Sequence, residues 1–177
     1  MKDGKVKMTG MVRVVVVGRD GEIKTYPRSW IRRLLGLPPK QMVILHHNTI
    51  TAQGDALIAD WMLASPTKTK ITSVNGYMQV GTGWTGNSPK QNTRCNNSVG
   101  SFQKVDTGYP SVNGAVVTYK ASFPVGSLNA TGIDEVCLLN GNTSQAESLA
   151  YAQITPAVDV TSNDSLAIEW TITVQGS

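Results

Sequence analysis

From residue 115 onward the chain is written in runs of strand length whose apolar residues recur at every second position, each run cut off by Gly, Asn or Pro. Ala115 to Phe123 is the clearest case: Val117, Tyr119, Ala121 and Phe123 point one way, and Val116, Thr118, Lys120 and Ser122 the other. Ile133 to Leu139, Leu149 to Ile154, Ala157 to Val160 and Leu166 to Val174 continue the series. Such runs, joined by polar loops and with no repeated βαβ unit, predict a mainly β fold: an antiparallel β-sandwich of jelly-roll-like form. With 16% charged residues and 177 residues in all, the chain has the composition and length for one such core.

One segment breaks the period. Ile50, Gly54, Leu57, Ile58, Trp61 and Met62 fall on one side of a helix, with Gln53, Asp55 and Asp60 more nearly opposite. Asn48 or Thr49 is the expected cap, and Ser65-Pro66 the stop, so residues 50–63 predict a single helix capping the sheet. Trp61 on this helix and Trp170 in the last alternating run are expected to be structural.

Charge divides the chain unevenly. Residues 1–40 hold ten Lys and Arg against three acidic residues, whereas residues 41–177 hold six against nine. Within the basic part, Met11 to Val17 reads as a strand, Asp20-Gly21 as a turn and Ile23 to Tyr26 as the return, making a small hairpin. Ser29 can cap a short helix, Trp30 to Leu35, which Gly36 and Pro38-Pro39 end. The expected organisation is therefore a basic N-terminal arm, 1–45, followed by a sandwich domain, 46–177. The apolar run Met11 to Val17 is too short for a signal-peptide core or a membrane span. Arg28, Trp30, Ile31, Arg32, Arg33, Leu34 and Leu35 are the arm's candidate partner contacts. The arm's charge would suit nucleic acid, but no recognised binding module accompanies it.

The motifs that could carry chemistry are weak. His46-His47 lacks any metal-binding helix pattern and reads as a polar corner. Gly81-Thr82-Gly83-Trp84-Thr85-Gly86 lacks the Lys-Ser/Thr of a phosphate loop; its glycines serve turn geometry, and Trp84 either anchors the loop or meets a partner. Cys95 and Cys137 have no paired spacing and read as small buried apolar residues, with pairing left open. Asp134 and Glu135 are strand neighbours, which points them to opposite faces and prevents them from sharing one substrate; Cys137 falls on the face of Ile133, Glu135 and Leu139. No G-x-S-x-G elbow occurs. The expectation is a noncatalytic protein with no cofactor, no metal and no small-molecule substrate.

Five stretches together carry a likeness to a known group. Leu57-Ile58-Ala59-Asp60-Trp61-Met62-Leu63 leads to Val80-Gly81-Thr82-Gly83; Val117-Thr118-Tyr119-Lys120-Ala121-Ser122-Phe123 leads to Ile133-Asp134-Glu135-Val136-Cys137-Leu138-Leu139-Asn140; and Asp164-Ser165-Leu166-Ala167-Ile168-Glu169-Trp170 closes the series. In this order they resemble small tailed-bacteriophage virion structural proteins, the head-decoration-like or tail-fibre-like group with a GTG loop and a C-terminal β-sandwich. The resemblance spans roughly residues 50–177. It departs at Pro89 to Asn96, where a Leu and a Glu of the group's pattern are missing, and residues 1–45 lie outside it. It makes Glu135 the group's recurrent acidic position, expected to hold backbone or a basic group.

The function expected on this basis is a head decoration or cement protein. It would bind the major capsid protein or other virion proteins as a dimer or trimer, in a virion assembled in the host cytoplasm. A neck, baseplate or tail-fibre-associated adaptor is the alternative. A carbohydrate-binding module using Trp84, Tyr109 and neighbouring Asn residues is a third reading. Neither nucleic acid nor a membrane is an expected partner.

Overall fold

The computed structural model describes residues 6–176. In chain order the elements are β1 (Val6–Val17), α1 (Trp30–Leu34), β2 (Val43–Ile50), α2 (Ala52–Trp61), β3 (Tyr77–Gly81), β4 (Ser98–Lys104), β5 (Ser111–Asn113), β6 (Val116–Phe123), β7 (Ala130–Leu139), β8 (Ser148–Val160) and β9 (Ser165–Gly176). The mainly β, antiparallel expectation holds. Instead of two separate sheets, however, all nine strands form one, in the order β4-β3-β7-β8-β2-β1-β9-β6-β5.

Continuity comes from β2, which changes partner midway. Val43 to His47 pair with β1, and Asn48 to Ile50 pair with β8. The sheet then curls over one main core filled from both halves, including Val14 of β1, Met78 of β3, Leu138 of β7, Ile154 of β8 and Trp170 of β9. Its two sides meet across the segment after β4: Asp106 N–H donates to Lys120 O at 2.8 Å, and Asp106 Oδ2 accepts from Ser122 Oγ at 2.7 Å. That closure shields part of an edge that would otherwise offer unpaired backbone.

The N-terminal region differs most from expectation. Residues 6–17 are not in an arm; β1 lies between β2 and β9 and pairs with β9 along its whole length, from Val6 opposite Gly176 to Val17 opposite Ser165. Val12, Val14 and Val16 fill the core side, which accounts for a β-branched run. Only a short piece of the expected hairpin forms, a bridge between Val17 and Ile23. Residues 18–42 are an excursion between β1 and β2, closed by a second bridge from Thr25 to Gln41.

The capping helix begins later than expected because Asn48 to Ile50 are held in the sheet by β8. Thr51 is the cap: its Oγ1 accepts from Gly54 N–H at 2.9 Å and donates to Ser148 O. Gly54 lies against the Leu149 carbonyl so closely that a Cβ would overlap it. Leu57 is fully buried, and Trp61 packs on the main core. Trp170 is buried as well. The indole nitrogens of both tryptophans are buried without a hydrogen-bond partner, so these residues contribute through packing.

Candidate functional site

Two features stand out from the scaffold: an exposed apolar patch on the excursion, and a loop clamped from below by buried carboxylate.

The patch is built by local hydrogen bonding. Ser29 Oγ accepts from Arg32 N–H at 3.3 Å and starts α1. Arg28 Nε donates to Leu37 O at 3.0 Å, and Arg32 Nε to Pro38 O at 2.9 Å. The two guanidinium groups thereby fold back onto the excursion's own carbonyls and close it into a compact unit. The apolar side chains are left outside: Trp30 is 73% exposed, Leu34 76% and Leu35 63%, with Ile31 and Leu37 also exposed. Arg33 is exposed beside them. Scattered exposed apolar residues are ordinary, but five in an eight-residue span form a surface suited to a partner. The sequence-predicted contact residues from Arg28 to Leu35 are thus brought together, with a division of labour that their types do not reveal: Arg28 and Arg32 brace, and the apolar residues present.

The base of the excursion is tied to the body. Lys24 Nζ donates to Asp164 Oδ2 at 2.7 Å, and Asp164 also accepts from Thr161 N–H and Oγ1, each at 2.7 Å. Burial alone would raise the Asp164 carboxyl, but the Lys24 ammonium and the Thr161 donors prevail and hold it below the usual carboxylate range.

Trp84 belongs elsewhere, to the loop of residues 82–97 between β3 and β4. This loop is held by β7. Glu135, fully buried, accepts from Gly83 N–H at 3.0 Å and Asn97 N–H at 3.0 Å through Oε1. Its Oε2 accepts from Asn96 N–H at 3.1 Å and from the Tyr151 hydroxyl. The adjacent Asp134 accepts from Trp84 N–H at 3.1 Å. Against the expectation that strand neighbours are kept apart on opposite faces, the two carboxylates grip one loop through consecutive residues, Gly83 and Trp84, where the register of β7 on β8 shifts. Four donors around a buried carboxylate supply the compensation that burying charge requires. Burial, then the bond to Glu135, raises the Tyr151 phenol far above its ordinary range, so it remains a donor.

The same clamp explains the glycines. A Cβ on Gly81 would strike the Glu135 carboxylate and the Asn97 carbonyl, and one on Gly83 would lie 2.7 Å from Asn97 N. These positions are glycine because the carboxylate and the returning chain occupy the side-chain space. Under the loop lies a second small cluster, Cys95, Cys137, Leu139, Ala146 and Tyr151, against which Trp84 and Phe102 pack. The register of β7 on β8 shifts between Ile133 and Glu135, which corrects the expected face: Ile133 joins the main core, and Cys137 and Leu139 the second cluster.

The remaining candidates stay apart. Trp84 is half-buried with one ring face on Tyr151, and Tyr109 lies on a different connection, between β4 and β5. His46 and His47 are successive residues of β2, and among the described residues no three His, Cys, Asp or Glu side chains gather as a metal site. An open surface hollow of about 740 Å³ surrounds the turn at Asp20 and contains the Lys24–Asp164 pair already described. No helix among the described residues is long and apolar enough to cross a membrane.

No protein-family model matches this chain, and no curated protein or solved structure matches it significantly.

Proposed function

We propose that this chain is a noncatalytic structural protein of a bacteriophage particle that binds the head shell as a decoration or cement protein. The observation that carries the reading is the excursion patch, where Trp30, Ile31, Leu34, Leu35 and Leu37 are exposed on a braced basic element. A cement protein needs an extensive adhesive surface rather than a cleft. A preformed patch of Trp and Leu with Arg at its side suits a shell contact, because little order remains to be imposed on binding. The partner is the major capsid protein or a neighbouring virion protein, and this chain associates as a dimer or trimer.

The test is copy number and dependence on the patch. Mass spectrometry of purified particles of the encoding virus should find the protein at a copy number comparable to the shell subunit. A handful of copies would move it to the neck, baseplate or tail fibre, and absence from the particle would overturn the reading. Trp30→Ser with Leu34→Ser should abolish occupancy on empty shells while the protein remains folded. Deletion of residues 1–40 is unsuitable, because it would remove β1 from the sheet.

A further inference from the structure

Cys95 and Cys137 lie 42 positions apart in sequence and 2.9 Å apart at sulfur. This is inside the van der Waals separation of two sulfur atoms and within a small movement of the ~2.05 Å of a covalent disulfide. The approach is fixed by the backbone around it. Cys137 is paired across the sheet with Gln79 of β3. Cys95 Sγ donates to the carbonyl of that same Gln79 at 3.1 Å, so both cysteines are placed against one residue. Glu135, two residues before Cys137, holds Asn96, the residue after Cys95. The two chain segments are therefore already registered against each other by independent hydrogen bonds.

We propose that Cys95 and Cys137 form a disulfide under oxidising conditions, converting the loop of residues 82–97 from a hydrogen-bonded flap into one covalently fastened to β7. The oxidant is a small-molecule disulfide. Cys95, the less deeply buried of the two, attacks one sulfur of that disulfide as its thiolate and expels a thiolate. Cys137 then loses its proton, attacks Cys95 Sγ and releases the second small thiol. Two cysteine thiols are oxidised, one small disulfide is reduced to two thiols, and the two cysteine protons end on those thiols. Burial, then the neighbouring Cys137 and Glu135, push the Cys95 thiol well above its ordinary range, so reaction in the closed state is slow. It proceeds during folding or when the loop opens.

Such a bond would fasten the loop that carries Trp84 without altering the excursion patch. It is therefore independent of the proposed shell contact. It would also suit a protein that leaves a reducing compartment for an oxidising one.

The test uses the full chain, refolded from guanidinium with a mixture of reduced and oxidised glutathione and, in parallel, with a reducing phosphine. The oxidised sample should show no titratable thiol after denaturation, a loss of two hydrogen atoms by intact mass, and one Cys95–Cys137 linked peptide. Its Tm should exceed that of the reduced sample by about 8–16 °C, the scale of a closed loop of this length in a chain of this size. Cys95→Ala should abolish that difference while leaving the reduced-state Tm within a few degrees. Two free thiols in protein refolded to the native state with the glutathione mixture, or linkage found only between chains, would overturn the proposal.

Discussion

Trp84 lies stacked on Tyr151, with ring centroids 4.9 Å apart and planes 25° from parallel, and the Tyr151 hydroxyl in turn donates to Glu135. The stack gives the loop an apolar attachment as well as a polar one. It also covers one ring face of the residue that a sugar-binding reading would need open. What holds this region is a chain of dependence from Trp84 through Tyr151 to Glu135, and its members can be tested separately.

Glu135→Ala would leave three backbone N–H groups and a phenol without their acceptor in a buried site. The expected loss is about 3–5 kcal/mol, the range for removing one side of a buried charged network. Glu135→Gln keeps one acceptor oxygen but turns an NH2 group toward donors, and should lose about 1–3 kcal/mol. Urea unfolding followed by circular dichroism measures both; a Glu135→Gln midpoint equal to that of the native protein would deny the clamp its role.

Gly83→Ala places a methyl group against Asn97 backbone nitrogen. Backbone cannot yield as a side-chain tip can, so the variant should lose about 1–3 kcal/mol, as overpacking does. Movement of the loop should also shift Trp84 emission to longer wavelength. An unchanged spectrum and midpoint would show that the loop has room the structure does not.

Alkaline pH should weaken the fold through its buried phenols. Tyr151 is raised far above the ordinary tyrosine range, by burial and then by Glu135, and burial raises Tyr119 to about 12. Because the folded-state values lie above the unfolded value of about 10, their stabilisation is fully present below that pH and falls as pH rises beyond it. Denaturant midpoints measured from about pH 8 to about pH 11 should decline above about 10. Tyr151→Phe should make the decline shallower.

Acid should loosen the base of the excursion. The Asp164 carboxyl is lowered in the folded state, so its contribution is present above the unfolded value of about 3.9 and is lost as pH falls through the lower folded value. Asp164→Asn should be less stable than the native protein at about pH 7 and show a shallower dependence below about pH 4. Matching slopes for the two proteins would place the acid sensitivity elsewhere.

Local patterns were legible in the sequence, and distant closures were not. Alternation located β6, since Tyr119, Ala121 and Phe123 are indeed buried, and Ser29 capped α1 as its type suggested. The run Met11 to Val17 showed its strand character but not its place, because its longest pairing is with residues 165 to 171 and neighbouring Lys and Arg pointed toward solvent. Asn48 and Thr49 were plausible caps until β8 claimed them for the sheet. At the loop, Glu135 stood out as an acidic residue in an apolar strand. Its partners were hidden, because most are backbone N–H groups that any sequence carries. The excursion's exposed residues could be named, yet the inward turn of Arg28 and Arg32 depends on carbonyl positions that no residue type announces.

The pairing of β1 with β9 has a consequence for the order in which the protein is made. Residues 6–17 leave the ribosome first among the described strands, and their partner, residues 165–176, leaves last. Throughout synthesis Val12, Val14 and Val16 belong to a strand with one side unclaimed, and β6 waits for the same missing neighbour. The sheet can be completed only after translation has passed β9, so the nascent chain carries an adhesive edge for most of its time on the ribosome. A chain interrupted shortly before residue 165 would not be a slightly smaller version of this protein; it would be one in which β6 and β5 are cut off from the other strands of the sheet.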